Sequence, residues 1–286
     1  MHKFDDEASR ILLNVVSHTI ERLSMDPITL DYPKSVDFFK ENAPSLINLE
    51  GNSIEDVFDQ YKNTIEESII SVDSPRMLAF IPSAPTKASM IFDLVVSAGS
   101  LCGVSWQEAS GAVWLENQVI RWIADLVGLP KDAGGCFVAG GTNGNLSSLV
   151  VAREQHRKKL KDSAKRLAIL CSDQAHSSVK STAKVMDCEV ITVPSNERYQ
   201  LTGDSIIKEL DAHQGKYQGY DIFAVVATAG TTNLGVIDDI ESIASYANKN
   251  NIWLHVDAAY GGAGLLSDKV RELYHGIGKA DSFIVD

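Results

Sequence analysis

The feature that most limits the possible folds is an alternation of short apolar runs and helical stretches from residue 167 onward. The apolar runs predict strands at 167–171, 189–193, 222–228, 252–256 and 282–285. The stretches between the first four of them predict helices, and strands that alternate with helices are typical of a parallel sheet with helices on its faces. The sequence therefore predicts an α/β fold with a mainly parallel sheet.

The first part of the chain has a different pattern. Helical spacing predicts helices over residues 4–24, 53–70, 88–101 and 111–127, with an irregular segment at 27–50 that contains Pro27, Pro33 and Pro44. We expect residues 1–73 to form an N-terminal helical segment and residues 74–286 to form the large domain. The helices of the first segment can pack on the chain's own core or on a second subunit, and the sequence leaves both open.

A glycine-rich turn, Gly140-Gly-Thr-Asn-Gly-Asn-Leu146, precedes a long helix predicted at about 144–162. We expect a short strand before the turn, starting at Cys136. The free N–H groups and the dipole of a helix N-terminus favour an anion, and Thr142 adds a hydroxyl beside Gly141. No Gly-Lys-Ser/Thr and no Gly-x-Gly-x-x-Gly follows, which favours a single phosphate over a nucleotide. The alternative is a tight turn without a ligand.

Polar residues also follow three of the predicted strands. Asp257 follows the strand at 252–256 and is surrounded by small residues, which suits a flat, cationic heterocycle such as a pyridinium. His176 and Thr232 follow two other strands, and the carboxyl ends of parallel strands meet at one edge of a sheet. These pieces predict a pyridoxal 5′-phosphate site. Alternatively, Asp257 caps a turn and His176 is a solvent-exposed residue of a first helical turn.

Charge and cysteine content narrow the class of protein. The net charge of −12 argues against binding to nucleic acid or to an anionic membrane. We find no apolar signal core and no run of membrane-spanning length. The four cysteines are scattered, which favours reduced thiols in a cytoplasmic protein, and no metal site is predicted.

From about residue 74 to its end, the sequence resembles the group II pyridoxal-phosphate-dependent amino-acid decarboxylases, such as the aromatic-L-amino-acid decarboxylases. The resemblance rests on the glycine-rich turn and on five further motifs, which are Pro75-Arg with Phe80-Ile-Pro-Ser83, Ser172-Asp-Gln-Ala-His-Ser-Ser178, Ala229-Gly-Thr-Thr232, His255-Val-Asp-Ala-Ala-Tyr260 and Ala280-Asp-Ser-Phe283. It implies the fold-type-I large domain of pyridoxal-phosphate-dependent transferases.

The resemblance also implies roles for individual residues. It gives cofactor contacts to six positions: Gly141 and Thr142 at the phosphate, His176 stacked on the ring, Asp257 at the pyridine nitrogen, Ala259 on the ring and Thr232 as a nearby hydrogen-bonding group. His176, Thr232 and Asp257 have roles in catalysis, and Phe80 and Ser83 line the substrate pocket. The implied reaction is decarboxylation of an L-amino acid, with an aromatic one favoured, by a homodimer.

The sequence departs from the family pattern in places. Ser74-Pro75 stands where the family often has His-Pro, and Ser110-Gly111 stands where it often has Ser-Pro, which leaves the substrate open. The family's Schiff-base lysine follows the strand that here begins at Ala280, beyond Asp286. We therefore expect a continuation or a second polypeptide to supply that lysine, and these 286 residues alone to be inactive. The alternatives are an aldehyde synthase or lyase of the same fold, and a non-catalytic fragment.

Overall fold

The computed structural model describes residues 4–43, 47–159 and 165–286, and the chain divides into two units, Met1–Ser100 and Leu101–Asp286. The expected boundary between residues 73 and 74 stays a prediction. Three predicted features lie outside the described residues: the start of the helical segment at 1–3, Pro44 and the helix end at 160–162.

The regular secondary structure described in the first unit is helical. Its helices are α1 (Asp6–Leu23), α2 (Val36–Asn42), α3 (Ile54–Gln60) and α4 (Lys87–Gly99), and α3 continues as a π turn (Tyr61–Ile65) and a 3₁₀ turn (Glu66–Ser68). The prediction that 27–50 is irregular is wrong at α2. Ser35 caps that helix by accepting the Phe38 N–H at 3.2 Å, a local signal that outweighs the neighbouring prolines.

The second unit contains the sheet. Its strands are β1 (Arg166–Ser172), β2 (Glu189–Val193), β3 (Tyr220–Thr228), β4 (Trp253–Asp257) and β5 (Ser282–Ile284). Its helices are α5 (Trp106–Val127), α6 (Gly141–Lys159), α7 (Ser177–Val185), α8 (Gly203–Ala212), α9 (Gln214–Tyr217) and α10 (Ile240–Asn250), with 3₁₀ turns at Gly261–Leu266, Arg271–Tyr274 and Ile277–Lys279. The strand order is β2-β1-β3-β4-β5 and every neighbouring pair is parallel. The predicted α/β fold is confirmed.

Alternate residues of each central strand enter two separate cores. In β1, Ala168 and Leu170 pack in the core that contains Ile243 of α10, whereas Ile169 and Cys171 pack in the core that contains Leu149 of α6. Successive side chains of a strand point to opposite faces, so helices cover both faces of the sheet. None of the helices described is long and apolar enough to cross a membrane.

The short strand predicted before the glycine-rich turn does not form. The Phe137 N–H donates to the Glu116 carboxylate at 3.0 Å, and the Val138 carbonyl accepts the Gly140 N–H at 2.9 Å. These backbone groups already have partners, so they are not available for a strand ladder. Gly140 then turns the chain with a φ of 88°, and α6 begins at Gly141, three residues earlier than predicted.

Candidate active site

The first turn of α6 lies close to the carboxyl ends of the strands. The Gly141 N–H donates to the Asp286 carboxylate at 3.1 Å, which shows that this helix end accepts an anion. A Cβ atom on Gly144 would lie 2.9 Å from Ile284 Cγ2, and one on Gly141 would lie 3.1 Å from Ala259 Cβ. Thr142 is exposed on the same turn. A helix N-terminus that donates to a carboxylate, a hydroxyl and close backbone approach fit a phosphate.

Asp257 ends β4 and is only 5% exposed. Its Oδ2 accepts from Asn145 Nδ2 at 2.8 Å, and its Oδ1 accepts from the Ala259 N–H at 3.1 Å. Ala259 is half-buried next to it. The carboxylate is therefore held from two sides, at the strand end that faces α6, and this arrangement fits a partner for a ring nitrogen.

A second branch of hydrogen bonds leads from Asn145 to His176. Asn145 Nδ2 also donates to Ser178 Oγ at 2.8 Å, and Ser178 Oγ lies 2.8 Å from His176 Nδ1. His176 caps α7, because its Nδ1 accepts the Ser178 N–H at 3.2 Å. The exposed His176 ring is thus tied to the same asparagine that holds Asp257.

Behind Asp257, His255 lies fully buried in β4. Its Nε2 is 2.8 Å from Asn145 Oδ1 and its Nδ1 is 2.8 Å from Ser282 Oγ. Trp253 Nε1 donates to the same Ser282 hydroxyl at 2.8 Å. Burial lowers the pKa of His255 to about 4, although nearby Asp257 and the hydrogen bond at Ser282 act to raise it. The imidazole is neutral near pH 7.

The loop after β3 lies beside the loop after β4. The Ala229 N–H donates to the Asp257 carbonyl at 2.8 Å, and a Cβ on Gly261 would lie 2.1 Å from the Ala229 carbonyl oxygen, so this approach requires glycine. Thr231 is buried and accepts the Val236 N–H at 3.2 Å, whereas Thr232 is exposed. The structure thus brings Thr232 to the same sheet edge as Asp257.

The side chain of Asp238 joins the end of β3 to the segment before α8. Its carboxylate accepts the Thr228 and Leu201 N–H groups, each at 2.7 Å, and it is 1% exposed. Burial raises its pKa to about 7, against the effect of the two hydrogen bonds. The group is structural, since both of its partners are backbone atoms.

Phe80 and Ser83 belong to the first unit. Both are exposed, and Phe80 has a φ of 64°, in the left-handed region that non-glycine residues seldom adopt. Their predicted place in the substrate pocket stays a prediction. In the described ranges, no cluster of three or more His, Cys, Asp or Glu side chains is arranged to hold a metal ion.

Sequence reasoning missed Asn145, Ser178 and His255 as members of the site. A signal was available for His255, because it precedes Asp257 by two residues in a strand and so faces the same side of the sheet. Asn145 follows Gly141 by four residues, about one helical turn, and so lies on the same face of α6.

The chain is similar to known proteins over most of its length. Residues 38–286 match the family model described as pyridoxal-dependent decarboxylase conserved domain. The aromatic-L-amino-acid decarboxylase of Bacillus atrophaeus is 29% identical over 253 residues, which are 87% of this chain and 52% of that protein. The alignment with the 4-hydroxyphenylacetaldehyde synthase of Rhodiola rosea has 290 positions at 26% identity, and it covers 96% of this chain and 58% of that protein. The chain thus spans about half the length of these curated relatives.

A solved structure is also similar. It is described as the glutamate decarboxylase domain of diaminobutyrate-pyruvate transaminase and L-2,4-diaminobutyrate decarboxylase from Vibrio parahaemolyticus. Its TM-score is 0.86 at 29% identity, with 100% of this chain and 65% of that chain covered. From the family match over most of its length, this chain belongs to the pyridoxal-dependent decarboxylase family.

Proposed function

We propose that this protein binds pyridoxal 5′-phosphate and acts in the decarboxylation of an L-amino acid to an amine and CO₂. The observation that carries the proposal is the contact between Asp257 and Asn145. This contact joins a strand-end carboxylate to the first turn of a helix whose N-terminus accepts an anion. Membership of the pyridoxal-dependent decarboxylase family supports the same conclusion.

In this proposal each site residue has one task toward the cofactor. The N–H of Gly141 and the hydroxyl of Thr142 would hold the phosphate. Asp257 would keep a proton on the pyridine nitrogen, and Ala259 would support the ring. The remaining two contacts come from His176 against the ring face and from Thr232 as a hydrogen-bonding group.

When bound, pyridoxal 5′-phosphate supplies the electron sink for breaking a bond at the amino acid Cα. The chain's own residues determine how well that sink works. Asp257 is buried, so its charge acts on a ring nitrogen with little solvent screening. His176 is held by Ser178 in one orientation, which would limit ring movement. Phe80 and Ser83 are proposed to contact the substrate side chain.

The experiment that tests the proposal uses the protein as expressed from its own gene. Added pyridoxal 5′-phosphate should bind and change its absorption spectrum. Labelled CO₂ should then be released from a carboxyl-labelled L-amino acid, with aromatic amino acids tested first because of the similarity to an aromatic-L-amino-acid decarboxylase. Absence of binding would contradict the cofactor assignment. Binding without CO₂ release from any amino acid would instead favour a non-catalytic protein.

A second candidate reaction is formation of an aldehyde. It is favoured by the similarity over 96% of this chain to the 4-hydroxyphenylacetaldehyde synthase of Rhodiola rosea. Both reactions release CO₂, so the organic product separates them. An amine as the main product supports decarboxylation, whereas an aldehyde with ammonia and hydrogen peroxide, formed with consumption of O₂, supports the alternative.

We also propose that the protein is a homodimer in the cytoplasm. Helix α5 exposes an apolar surface, in which Trp114, Leu115 and Trp122 are each more than half exposed. Large exposed apolar patches are typical of protein interfaces. The four cysteines are free thiols, as expected in a reducing compartment.

A further inference from the structure

We propose that Asn145 and His255 are positioning residues, which present Asp257 to the cofactor as a hydrogen-bond acceptor in one fixed orientation. This inference rests on the proposed function, and it adds a task for residues that do not themselves contact the cofactor. The evidence is a hydrogen-bond relay, defined as the side chains of Trp253, Ser282, His255 and Asn145, which ends at Asp257.

The carboxylate end of the relay fixes the direction of donation. The Asp257 carboxylate accepts and does not donate, so Asn145 directs an amide N–H to its Oδ2 at 2.8 Å. The Asn145 oxygen then faces His255 Nε2 at 2.8 Å, and this acceptor requires the proton of the neutral imidazole on Nε2. His255 Nδ1 is left as the acceptor for the Ser282 hydroxyl at 2.8 Å, and Ser282 Oγ accepts the Trp253 indole N–H.

The His255 N–H in turn holds the Asn145 amide in this orientation. Because its oxygen accepts from His255, its two amide protons are directed to Asp257 Oδ2 and Ser178 Oγ, each at 2.8 Å. A rotated amide would place its oxygen against the Asp257 carboxylate, two acceptors without a proton between them. Ser178 in turn donates its hydroxyl proton to His176 Nδ1, so one asparagine orients both predicted ring contacts.

Burial gives the relay its strength. Asn145 is 1% exposed and His255 is 0% exposed, so water does not compete for these hydrogen bonds. Every polar atom of the Asn145 side chain has a partner, and so do both ring nitrogens of His255. Removing the Asn145 amide would leave Asp257 Oδ2 and His255 Nε2 without these partners in a buried place.

The test measures the affinity of the protein, expressed from its own gene, for two ligands. They are pyridoxal 5′-phosphate and its 1-deaza analogue, in which a C–H group replaces the ring nitrogen. Asn145→Ala should weaken pyridoxal 5′-phosphate about tenfold or more, which corresponds to loss of a hydrogen bond to a charged group. The same variant should weaken the analogue much less, because the analogue has no nitrogen for Asp257 to hold.

The matched control is Asn143→Ala, an exposed asparagine of the same helical turn that donates to the Ala139 carbonyl. It should leave the ratio of the two affinities unchanged. An equal loss of both ligands in Asn145→Ala, or no loss of either, overturns the positioning role. Failure of the unaltered protein to bind pyridoxal 5′-phosphate overturns the proposed function as well, which separates the two results.

A second measurement reads the proton position in the unaltered protein. Nitrogen NMR of the cofactor-free protein at about pH 7, with the His255 signals identified by their loss in His255→Gln, reports which ring nitrogen carries the proton. We expect protonation at Nε2 alone. A ring without a proton on Nε2 would reverse the donation at Asn145 and overturn the inference.

Discussion

Asn145 and Asp257 are 112 residues apart in the sequence, and their side chains are joined by a hydrogen bond of 2.8 Å. This bond connects the first turn of α6 to the end of β4. The two features expected to hold opposite ends of the cofactor, an anion-binding helix end and a strand-end carboxylate, are therefore part of one buried structure.

Replacement of Asp257 tests the proposed partner of the ring nitrogen. Asp257→Ala should lower the rate of CO₂ release at least about a hundredfold, because a preorganised charge beside the reacting ring is lost. Binding of pyridoxal 5′-phosphate should weaken as well, which a titration measures. Asp268→Ala, at an exposed aspartate near in sequence, serves as the control. Near-normal turnover in Asp257→Ala would contradict the role.

A variant at Gly144 tests whether α6 packs closely against β5. A Cβ atom there would lie 2.9 Å from Ile284 Cγ2, so Gly144→Ala should push the helix start away from the sheet. We expect a loss of roughly 1–3 kcal/mol in unfolding free energy, as for overpacking in a core, together with weaker phosphate binding. Gly111→Ala in α5, where nothing lies within 4 Å of the new atom, should be neutral or stabilising. Similar unfolding curves for both variants would argue against the tight packing.

Asp238 should make stability depend on pH in one direction. Its folded pKa of about 7 lies above its ordinary value of 3.8, so between these values the folded state binds more protons than the unfolded state. Stability from this group therefore falls as the pH rises. The asparagine in Asp238→Asn does not titrate. The loss of unfolding free energy caused by this variant, measured by urea unfolding, should therefore be smaller at about pH 8 than at about pH 5.5. An equal cost at both pH values would contradict the raised pKa.

His255 should act in the opposite direction. Its folded pKa of about 4 lies below its ordinary value of 6.5, so in this window the folded state binds fewer protons. Stability from this group rises as the pH rises from about 4 to about 6.5. The cost of His255→Gln should therefore be greater at about pH 8 than at about pH 5.5, in the same urea experiments. If the loss of unfolding free energy in His255→Gln were instead smaller at about pH 8 than at about pH 5.5, as expected for Asp238→Asn, His255 would be charged in the folded protein.

The exposed apolar surface of α5 tests the proposed dimer. Leu115→Glu adds a charge to this surface, so light scattering should show a shift from dimer toward monomer. Asn248→Glu adds the same charge at an exposed position of another helix, α10, and should leave the mass unchanged. A monomeric unaltered protein, or no effect of Leu115→Glu, would disprove this interface.

Most strands could be predicted, because the alternation that marks a buried strand is a local property of the sequence. The strand predicted at 189–193 matches β2 residue for residue, and the others differ by one or two residues at their ends. Asp257, His176 and Thr232 were placed after strands for the same reason. Their common edge followed from the rule that parallel strands end together.

Two features depended on partners that are distant in the sequence. The strand predicted near Cys136 does not form, because the Glu116 side chain of α5 takes the Phe137 N–H. In the sequence, Asn145 is part of a glycine-rich turn. Only the packing of α6 on β4 places it between His255 and Asp257. The sequence by itself determined the strands of the sheet, the turn and the residues at the strand ends, since each depends on near neighbours. Tertiary structure decided which buried polar groups form hydrogen bonds with each other, because the partners lie more than a hundred residues apart in the sequence.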